Sequence, residues 1–345
     1  MRLGWLAATL AACFVVIPVG THAETSYSIL SFDDLDGWEN DDHQAALDVF
    51  RVTCGDLKGA EWPSICALAT SQPNPRLFFE LLFRPVLIED GEPGLFTGYF
   101  EPELSGSRRQ SPRYRYPIYS KPPELRDGEK WFARDAIENQ QLLAGRGLEI
   151  AWVDNPVDVF FLQVQGSGRI RLEDGSAIRV GYGGSNGHSY RSIGKELVRR
   201  GVYKTHQVSA QVIRNWVLRN PALGVELLQT NPSYVFFRKL TNLASDKGPL
   251  GAMNRSITPL RTVAVDPSFV KLGAPVWIEK GGPSGIRRLM IAQDTGSAIK
   301  GAQRADIFYG TGDAAGKAAG KVRDPGRMVV LLPIDLAYAS VEGFE

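Results

Sequence analysis

The first part of the chain has the hydrophobic spacing of helices. Apolar residues within 45–50 and within 77–82 recur three and four positions apart, so each set lies along one side of a helix. The second helix follows Pro75, and Pro85 is expected to interrupt it or to end it. The region before residue 94 is therefore predicted to be mainly helical.

From residue 94 onward, short apolar runs separated by turn residues favour strands. The apolar run 160–165 is predicted as a strand, and 170–172 and 178–180 are predicted to pair as a hairpin. The stretch 104–130 is polar and rich in Arg and Pro, which favours a loop or an edge region. Helices should follow, each stopped by Gly or Pro, at 189–200, 209–220 and 223–229.

The last part of the chain returns to short strands between glycine-rich turns. This spacing favours a small barrel over a parallel sheet, and no alternation of strands and helices of the doubly wound type is visible. The expected fold class is mainly β with several helices. The strands predicted in this part are 262–265, 275–279, 288–293, 306–309 and 328–332.

Composition supports a folded protein and limits the classes of molecule that it is expected to bind. The 345 residues are 43% apolar and 22% charged, enough for a sizeable core, and 36 Gly with 21 Pro suit many turns. The formal net charge is +1, and no basic stripe is visible. We therefore expect no nucleic-acid partner and a substrate that is neutral or modestly charged, such as a sugar polymer.

The N-terminus has the layout of an export signal. Arg2 precedes an apolar run at 5–19, and small residues lead to Ala23, after which cleavage is expected. The run is shorter than a membrane span. Residues 10–13 also resemble a lipobox, which would place a lipid on Cys13. We expect an exported, periplasmic protein that associates with the outer membrane only if Cys13 is lipidated.

Two cysteines, Cys54 and Cys66, remain after the predicted cleavage. In an oxidising compartment they can form a disulfide, and the alternative is two buried free thiols. The histidines are scattered, with no spacing typical of a metal site. Neither a metal nor another cofactor is predicted.

Three aspartates occur at the ends of predicted strands, where carboxylates can line the rim of a barrel. The apolar neighbours of Asp306 should desolvate it and raise its pKa, which suits a proton donor near neutrality. Each aspartate could instead close a turn, and Asp266, which precedes a proline, favours that interpretation. The sequence Asp294-Thr-Gly-Ser matches aspartic proteases, but no second copy supplies the partner carboxylate.

These motifs, taken in order, resemble the family of membrane-bound lytic murein transglycosylase A. The resemblance rests on 265–273 and 294–308, which look like its three-aspartate "3D" domain, and on GYFEP, FLQVQGSG, NGHSYRSIGK and NPSYVFF at 98–102, 161–168, 186–195 and 231–237. It implies a double-psi β-barrel interrupted by an inserted second β-barrel. The implied parts are a signal peptide (1–23), a helical part with the first barrel segment (24–102), the insert (103–240) and the C-terminal barrel segment (241–345).

The resemblance also implies an activity. The family cleaves the β-1,4 bond between N-acetylmuramic acid and N-acetylglucosamine, and the primary hydroxyl of the muramic acid attacks to leave a 1,6-anhydro sugar. The last aspartate of the motif, here Asp306, would be the single acid and base. Asp294 would raise the pKa of Asp306 or stabilise the positively charged sugar. Peptidoglycan strands are the expected partner, together with other cell-wall enzymes.

Several residues are candidates for substrate binding, each with a structural alternative. Tyr99 could stack on a sugar ring or lie in the core, and Lys300 could bind a peptide carboxylate or be solvated. Gln165 and Ser167 could bind N-acetyl groups or form a turn, and Asp266 joins this set despite its turn signal. His188 is predicted to be structural. Two other functions remain open: a hydrolytic muramidase, and an expansin-like protein that binds glycans without cutting them.

Overall fold

The computed structural model describes residues 25–71, 73–126 and 128–342. The predicted signal peptide at 1–23, with its cleavage site at Ala23 and the lipidation candidate Cys13, lies outside these ranges. None of the helices within them is long and apolar enough to cross a membrane.

Helices and short strands alternate irregularly along the chain. The helices are α1 His43–Cys54, α2 Trp62–Ser71, α3 Pro75–Leu82, α4 Arg134–Asn139, α5 Pro156–Gln165, α6 Ile193–Arg199, α7 Ala210–Arg219, α8 Pro221–Gln229, α9 Gly312–Ala319 and α10 Ile334–Glu342. The strands are β1 Ser26–Ile29, β2 Phe83–Glu89, β3 Leu95–Glu101, β4 Glu103–Ser107, β5 Tyr116–Tyr119, β6 Glu149–Val153, β7 Gly168–Leu172, β8 Ala177–Ser185, β9 Val235–Lys239, β10 Thr262–Val265, β11 Pro275–Lys280, β12 Ile286–Asp294, β13 Arg304–Thr311, β14 Arg323–Asp324 and β15 Gly326–Pro333.

The first barrel is built from β3 and the C-terminal strands. Its sheet pairs in the order β1, β2, β15, β11, β12, β10, β13, β3 and β14, and the row from β15 to β14 is the part that closes. Only Pro325 separates β14 from β15, so the chain itself joins the two ends of this row. The pairs β10/β12 and β13/β3 are parallel, and the others are antiparallel. The five strands predicted in this part are confirmed, and their inward side chains form an apolar core.

The second barrel lies between β3 and β10 in the sequence. Its strands pair in the order β5, β6, β4, β7, β8 and β9, and a bridge between Ser120 and Phe237 brings the last strand to the first. The predicted hairpin is the antiparallel pair β7/β8. The stretch 104–130, predicted as a loop or an edge, contains most of β4 and all of β5. The expected fold class, mainly β with two barrels and several helices, is confirmed.

The predicted strand at 160–165 is wrong, because these residues belong to helix α5. Pro156 occupies the first turn, the Asn155 side chain accepts a hydrogen bond from the Val157 N–H, and Gly166 (φ 78°) ends the helix. Most of the helix is buried, so its apolar residues cover more than one side and hide the helical period. The signals that identify it are the Asn-Pro before the run and the glycine after it.

The N-terminal helices pack against one side of the first barrel. Phe50 of α1 and Trp62 of α2 share an apolar cluster with Trp277 of β11. Cys54 and Cys66 form a disulfide with their Cα atoms 5.6 Å apart, so of the two alternatives left open by the sequence the bridged one is present. Helix α3 ends at Leu82, before Pro85, as predicted.

Helix α1 also supports the end of β12. The Gln293 side chain donates to the Val49 carbonyl (3.2 Å) and to the Thr53 hydroxyl (3.0 Å), and it accepts from the Thr262 hydroxyl (2.6 Å). Because Gln293 is buried and precedes Asp294 directly, these bonds fix the backbone that carries the next side chain. The helical part therefore helps to position a candidate site residue.

Candidate active site

A groove of about 850 Å³ lies between the two barrels. Residues of the insert form one wall, and the ends of β12 and β13, with the loop before β10, form the other. The groove contains six of the predicted site residues: Tyr99, Gln165, Ser167, Asp294, Lys300 and Asp306. Residues far apart in the sequence thus meet in one concave surface, the usual form of a ligand site.

Asp306 lies on β13, next to Thr97 of β3 in the parallel pairing. The Thr97 hydroxyl donates to Asp306 Oδ1 at 2.6 Å, and Oδ2 has no hydrogen-bond partner within the ranges described above. Burial raises the pKa of Asp306, while the bond from Thr97 and the charge of Arg304 act in the opposite direction. The predicted direction of this pKa shift is confirmed. One oxygen is held by the protein, and the other is available to a ligand.

Arg304 and Thr97 orient this carboxyl group, and the sequence pattern did not identify either residue. Arg304 Nη2 donates to the Thr97 hydroxyl oxygen at 2.8 Å, so the hydroxyl proton of Thr97 is directed at Asp306. The other guanidinium nitrogen, Nη1, donates to the carbonyls of Leu95 and Ala305. Burial lowers the pKa of Arg304, and the charge of Asp306 opposes this shift.

Asp294 ends β12 and has both oxygens bonded. The Tyr99 hydroxyl donates to Oδ2 at 2.8 Å, and the N–H groups of Ala252 and Thr295 donate to Oδ1 at 3.0 and 2.9 Å. Burial raises the pKa of Asp294 to about 6; the three bonds oppose this shift, and the charge of Asp306 adds to it. Ala252, in the loop before β10, offers a backbone donor that no side-chain pattern reveals.

Tyr99 has a contact that neither interpretation of the sequence included. Its hydroxyl binds Asp294, and its ring lies 5.2 Å from the ring of Phe308, centre to centre. Burial, followed by the charge of Asp294, raises its pKa well above the usual value, so the phenol stays a neutral donor. Sugar stacking by Tyr99 remains a prediction.

Asp266 lies in a different environment. It is 4% exposed, and it accepts from the Ser268 N–H and the Gly301 N–H, both at 3.1 Å, and from Lys300 Nζ at 3.3 Å. Burial alone would raise the pKa of Asp266, but the backbone donors and Lys300 lower it overall. These contacts match the turn interpretation, and substrate binding by Asp266 stays a prediction. The Lys300 side chain is 63% exposed, so it can still contact a ligand.

The remaining predicted residues lie at the C-terminal end of α5 and beside it. Gln165 Oε1 accepts from the Phe100 N–H at 3.1 Å, which ties the insert to β3, and Ser167 lines the groove although it is mostly buried. His188 Nε2 bonds the Trp131 carbonyl at 2.8 Å, which supports the structural role predicted for it. Within the residues described, no group of three or more His, Cys, Asp or Glu is placed to hold a metal ion.

Comparisons with known proteins agree with these features. The family model "MltA specific insert domain" matches residues 95–238, and the model "3D domain" matches residues 261–332. Membrane-bound lytic murein transglycosylase A of Vibrio cholerae is 36% identical over 68% of this chain, and that of Escherichia coli K12 is 38% identical over 68%. The aligned parts cover 64% and 65% of these two relatives, slightly less than two thirds of each.

Solved structures resemble nearly the whole chain. A membrane-bound lytic murein transglycosylase from Agrobacterium tumefaciens is 32% identical, with a TM-score of 0.81 over 91% of this chain and 99% of that one. MltA from Neisseria gonorrhoeae is 32% identical, with a TM-score of 0.76 over 92% and 96%. E. coli MltA with bound chitohexaose is 29% identical, with a TM-score of 0.71 over 89% and 94%.

Proposed function

The chain belongs to the family of membrane-bound lytic murein transglycosylase A, and on that basis we propose that it is an exported lytic transglycosylase of peptidoglycan. The substrate is the β-1,4 bond between N-acetylmuramic acid and N-acetylglucosamine, and the product carries a 1,6-anhydro end. The relative crystallised with chitohexaose supports glycan binding, and the glycan is proposed to lie in the groove between the barrels. The export signal and a lipid on Cys13 would place the enzyme in the periplasm at the outer membrane.

The observation that carries this proposal is the asymmetric bonding of Asp306. Oδ1 accepts the Thr97 hydroxyl proton, so a proton on the carboxyl group belongs on Oδ2, which has no partner within the described ranges. Burial raises the pKa of Asp306 and favours this protonated form. A general acid must direct its proton at the substrate, and only Oδ2 is free to do so.

The proposed reaction needs one carboxyl group used twice. Asp306 Oδ2 gives its proton to the glycosidic oxygen as the bond to the muramic acid C1 breaks, and the N-acetylglucosamine leaves as an alcohol. The carboxylate then takes the proton of the muramic acid C6 hydroxyl, and the oxygen of that hydroxyl forms the new bond to C1. The proton count is unchanged over the cycle, and no water is consumed.

Asp294 is proposed to act through its charge. Three donors converge on its oxygens, an arrangement that favours the carboxylate form, and a fixed negative charge stabilises the positive sugar in the transition state. Burial raises the pKa of both carboxyl groups, that of Asp294 to about 6, and the charge of Asp306 adds to the shift at Asp294. Gln165, Ser167, Tyr99 and Lys300 are proposed substrate contacts along the same groove.

The bonding of Asp294 also favours this reaction over hydrolysis. A hydrolytic muramidase needs a second carboxylate that attacks the sugar or activates water. Both oxygens of Asp294 already accept hydrogen bonds from the protein, and one of the donors is the Tyr99 phenol inside the groove. The internal hydroxyl of the muramic acid removes the need for a second reactive carboxylate.

Digestion of purified sacculi followed by mass analysis tests the proposal. Products with anhydromuramic ends are expected, and Asp306→Asn should release none. Reducing ends would identify a hydrolase instead. Strands that stay intact with folded protein bound to them would identify an expansin-like binding protein.

A further inference from the structure

The insert contains a second cavity that the proposed reaction does not use. It has a volume of about 810 Å³ and lies beside β5 and β6, bounded on the other side by α4, α8 and the loop after α4. Arg134 contributes to both this cavity and the groove, and neither Asp294 nor Asp306 reaches the second cavity. It is therefore a separate concave site on the second barrel.

Three half-buried aromatic side chains line this cavity: Tyr116, Tyr119 and Trp152. Tyr119 pairs with Glu149 across β5 and β6, and Trp152 pairs with Pro117, so the rings are held by paired strands. The rise along a strand places Tyr116 and Tyr119 about 10 Å apart along the chain. Aromatic side chains spread over this length suit an oligomer, because the exposed parts of half-buried rings offer flat apolar surfaces for stacking.

The polar groups of the cavity have unused hydrogen-bonding capacity. The exposed side chains of Gln110 and Gln141 have no protein hydrogen-bond partner within the described ranges, and the half-buried Glu149 has no ion-pair partner there. Arg115 lies over the Tyr116 ring, with its guanidinium carbon 5.5 Å from the ring centre, and makes no ion pair among the same residues. Amides and single charges of opposite sign suit hydroxyl and acetamido groups better than a strongly charged ligand.

Glu138, the other carboxylate of the cavity, is already neutralised. It pairs with Arg134 at 3.1 Å and accepts from Gln229 at 3.2 Å. The free charges, Glu149 and Arg115, therefore cancel, which argues against a polyanion or a polycation as the ligand. Aromatic faces together with amide and carboxylate groups are the chemistry that binds a neutral sugar chain.

We propose that this cavity is a second, non-catalytic glycan-binding site that holds a peptidoglycan strand while the groove between the barrels cuts. The nature of the ligand rests on the proposed function; the existence of a second site rests on the cavity alone. Because cross-linked murein presents many strands at once, a second contact raises the local concentration of substrate at the groove. The benefit should appear on sacculi and not on short soluble glycans.

Calorimetric titration with chitotetraose tests the site, with the full mature chain carrying Asp306→Asn so that nothing is cleaved. Two sites per chain are expected. Adding Trp152→Ala should remove one site, or weaken it at least tenfold, and leave the other unchanged. Tyr338→Ala, an exposed aromatic change on α10, is the matched control and should keep both sites. Tyr116→Ala gives an independent test if Trp152→Ala does not fold.

Activity separates this proposal from the proposed function. In the otherwise unchanged chain, Trp152→Ala should keep its turnover of short soluble glycans and lose about fivefold or more on sacculi, an effect of tethering. Two results would overturn the second site. One is a single chitotetraose site in the chain that carries only Asp306→Asn. The other is two sites that remain after both Trp152→Ala and Tyr116→Ala. Two sites in a chain without lytic activity would instead overturn the proposed function and leave the second site standing.

Discussion

Two corners of the first barrel carry aspartates of one motif, yet their environments are opposite. At the groove, burial raises the pKa of Asp294 and Asp306, and one oxygen of Asp306 is left open. At the turn after β10, donors from Ser268, Gly301 and Lys300 surround Asp266 and lower its pKa. The same kind of side chain is thus the proposed proton donor at one corner and a bonded anion at the other.

The difference comes from the balance between burial and donated bonds. Burial penalises the carboxylate at both corners, but it outweighs the donated bonds at Asp294 and Asp306, whereas the backbone donors and Lys300 outweigh it at Asp266. Asp266 accepts two backbone bonds and a lysine contact, whereas Asp306 accepts a single neutral hydroxyl. A carboxyl group that stabilises the fold is fully bonded, and one proposed to react is left incomplete.

The largest expected effect is on Asp306. Asp306→Asn keeps the size of the side chain and removes the transferable proton, so release of anhydro products from sacculi should fall by roughly 10³-fold or more. Mass analysis of the digest measures it. Asp313→Asn, a change at an exposed aspartate of the same barrel, should retain full activity. Retained cleavage by Asp306→Asn would remove this residue from the mechanism.

The stability of the same variant checks that it folds. Because burial raises the pKa of Asp306, the charged form costs stability, and this cost appears as pH rises through the raised pKa. Asp306→Asn should therefore unfold at a higher temperature than the parent at pH 8 and at nearly the same temperature at pH 4. Thermal unfolding at the two pH values measures the difference.

A smaller loss is expected at Asp294, since its proposed role is charge and not proton transfer. Asp294→Asn should leave partial activity, reduced roughly tenfold to a hundredfold, with the same anhydro product. Removing this negative charge should also lower the pKa of Asp306, so the alkaline limb of the profile of activity against pH should move to lower pH. Complete loss in both variants would contradict the division of roles between the two carboxyl groups.

Thr97 should have a milder effect. Thr97→Val removes the bond that fixes Asp306 Oδ1, and activity should fall about tenfold, the factor that a single hydrogen bond represents. That bond favours the charged form, so its loss should raise the pKa of Asp306 further and move the alkaline limb to higher pH. Thr97→Ser keeps the hydroxyl, so both its activity and the alkaline limb of its pH profile should match those of the parent. An unchanged pH profile in Thr97→Val would exclude this orienting role.

The smallest effect on activity is expected at Asp266, in the turn after β10. Asp266→Asn removes a buried, bonded charge and should lower the free energy of unfolding by about 1–3 kcal/mol, with activity per folded molecule nearly unchanged. The parent's advantage is present above the ordinary pKa of 3.8 and disappears as pH falls through the lowered value. Urea unfolding at pH 7 and pH 3 measures it. A loss of activity without a loss of stability would place Asp266 in the substrate site.

Local sequence determined much of this protein. The strands of the first barrel follow alternating and apolar runs bounded by glycine, and all five predicted in its C-terminal part are present. The motif around Asp294 and Asp306 picked out two residues that lie together in the groove, and the spacing of Cys54 and Cys66 identified a possible bridge. These features depend on neighbours in the chain, which a sequence displays directly.

Tertiary structure alone decided the rest. The run at 160–165 became a helix, because burial on several sides removed the period that tells a helix from a strand. Thr97 contacts Asp306 across 209 sequence positions because β3 pairs with β13. Ala252 contacts Asp294 across 42 positions through its backbone N–H, a donor that does not depend on the side chain. A pKa depends on the donors and the burial around a group, so three aspartates alike in sequence acquired different chemistry only when the barrel closed.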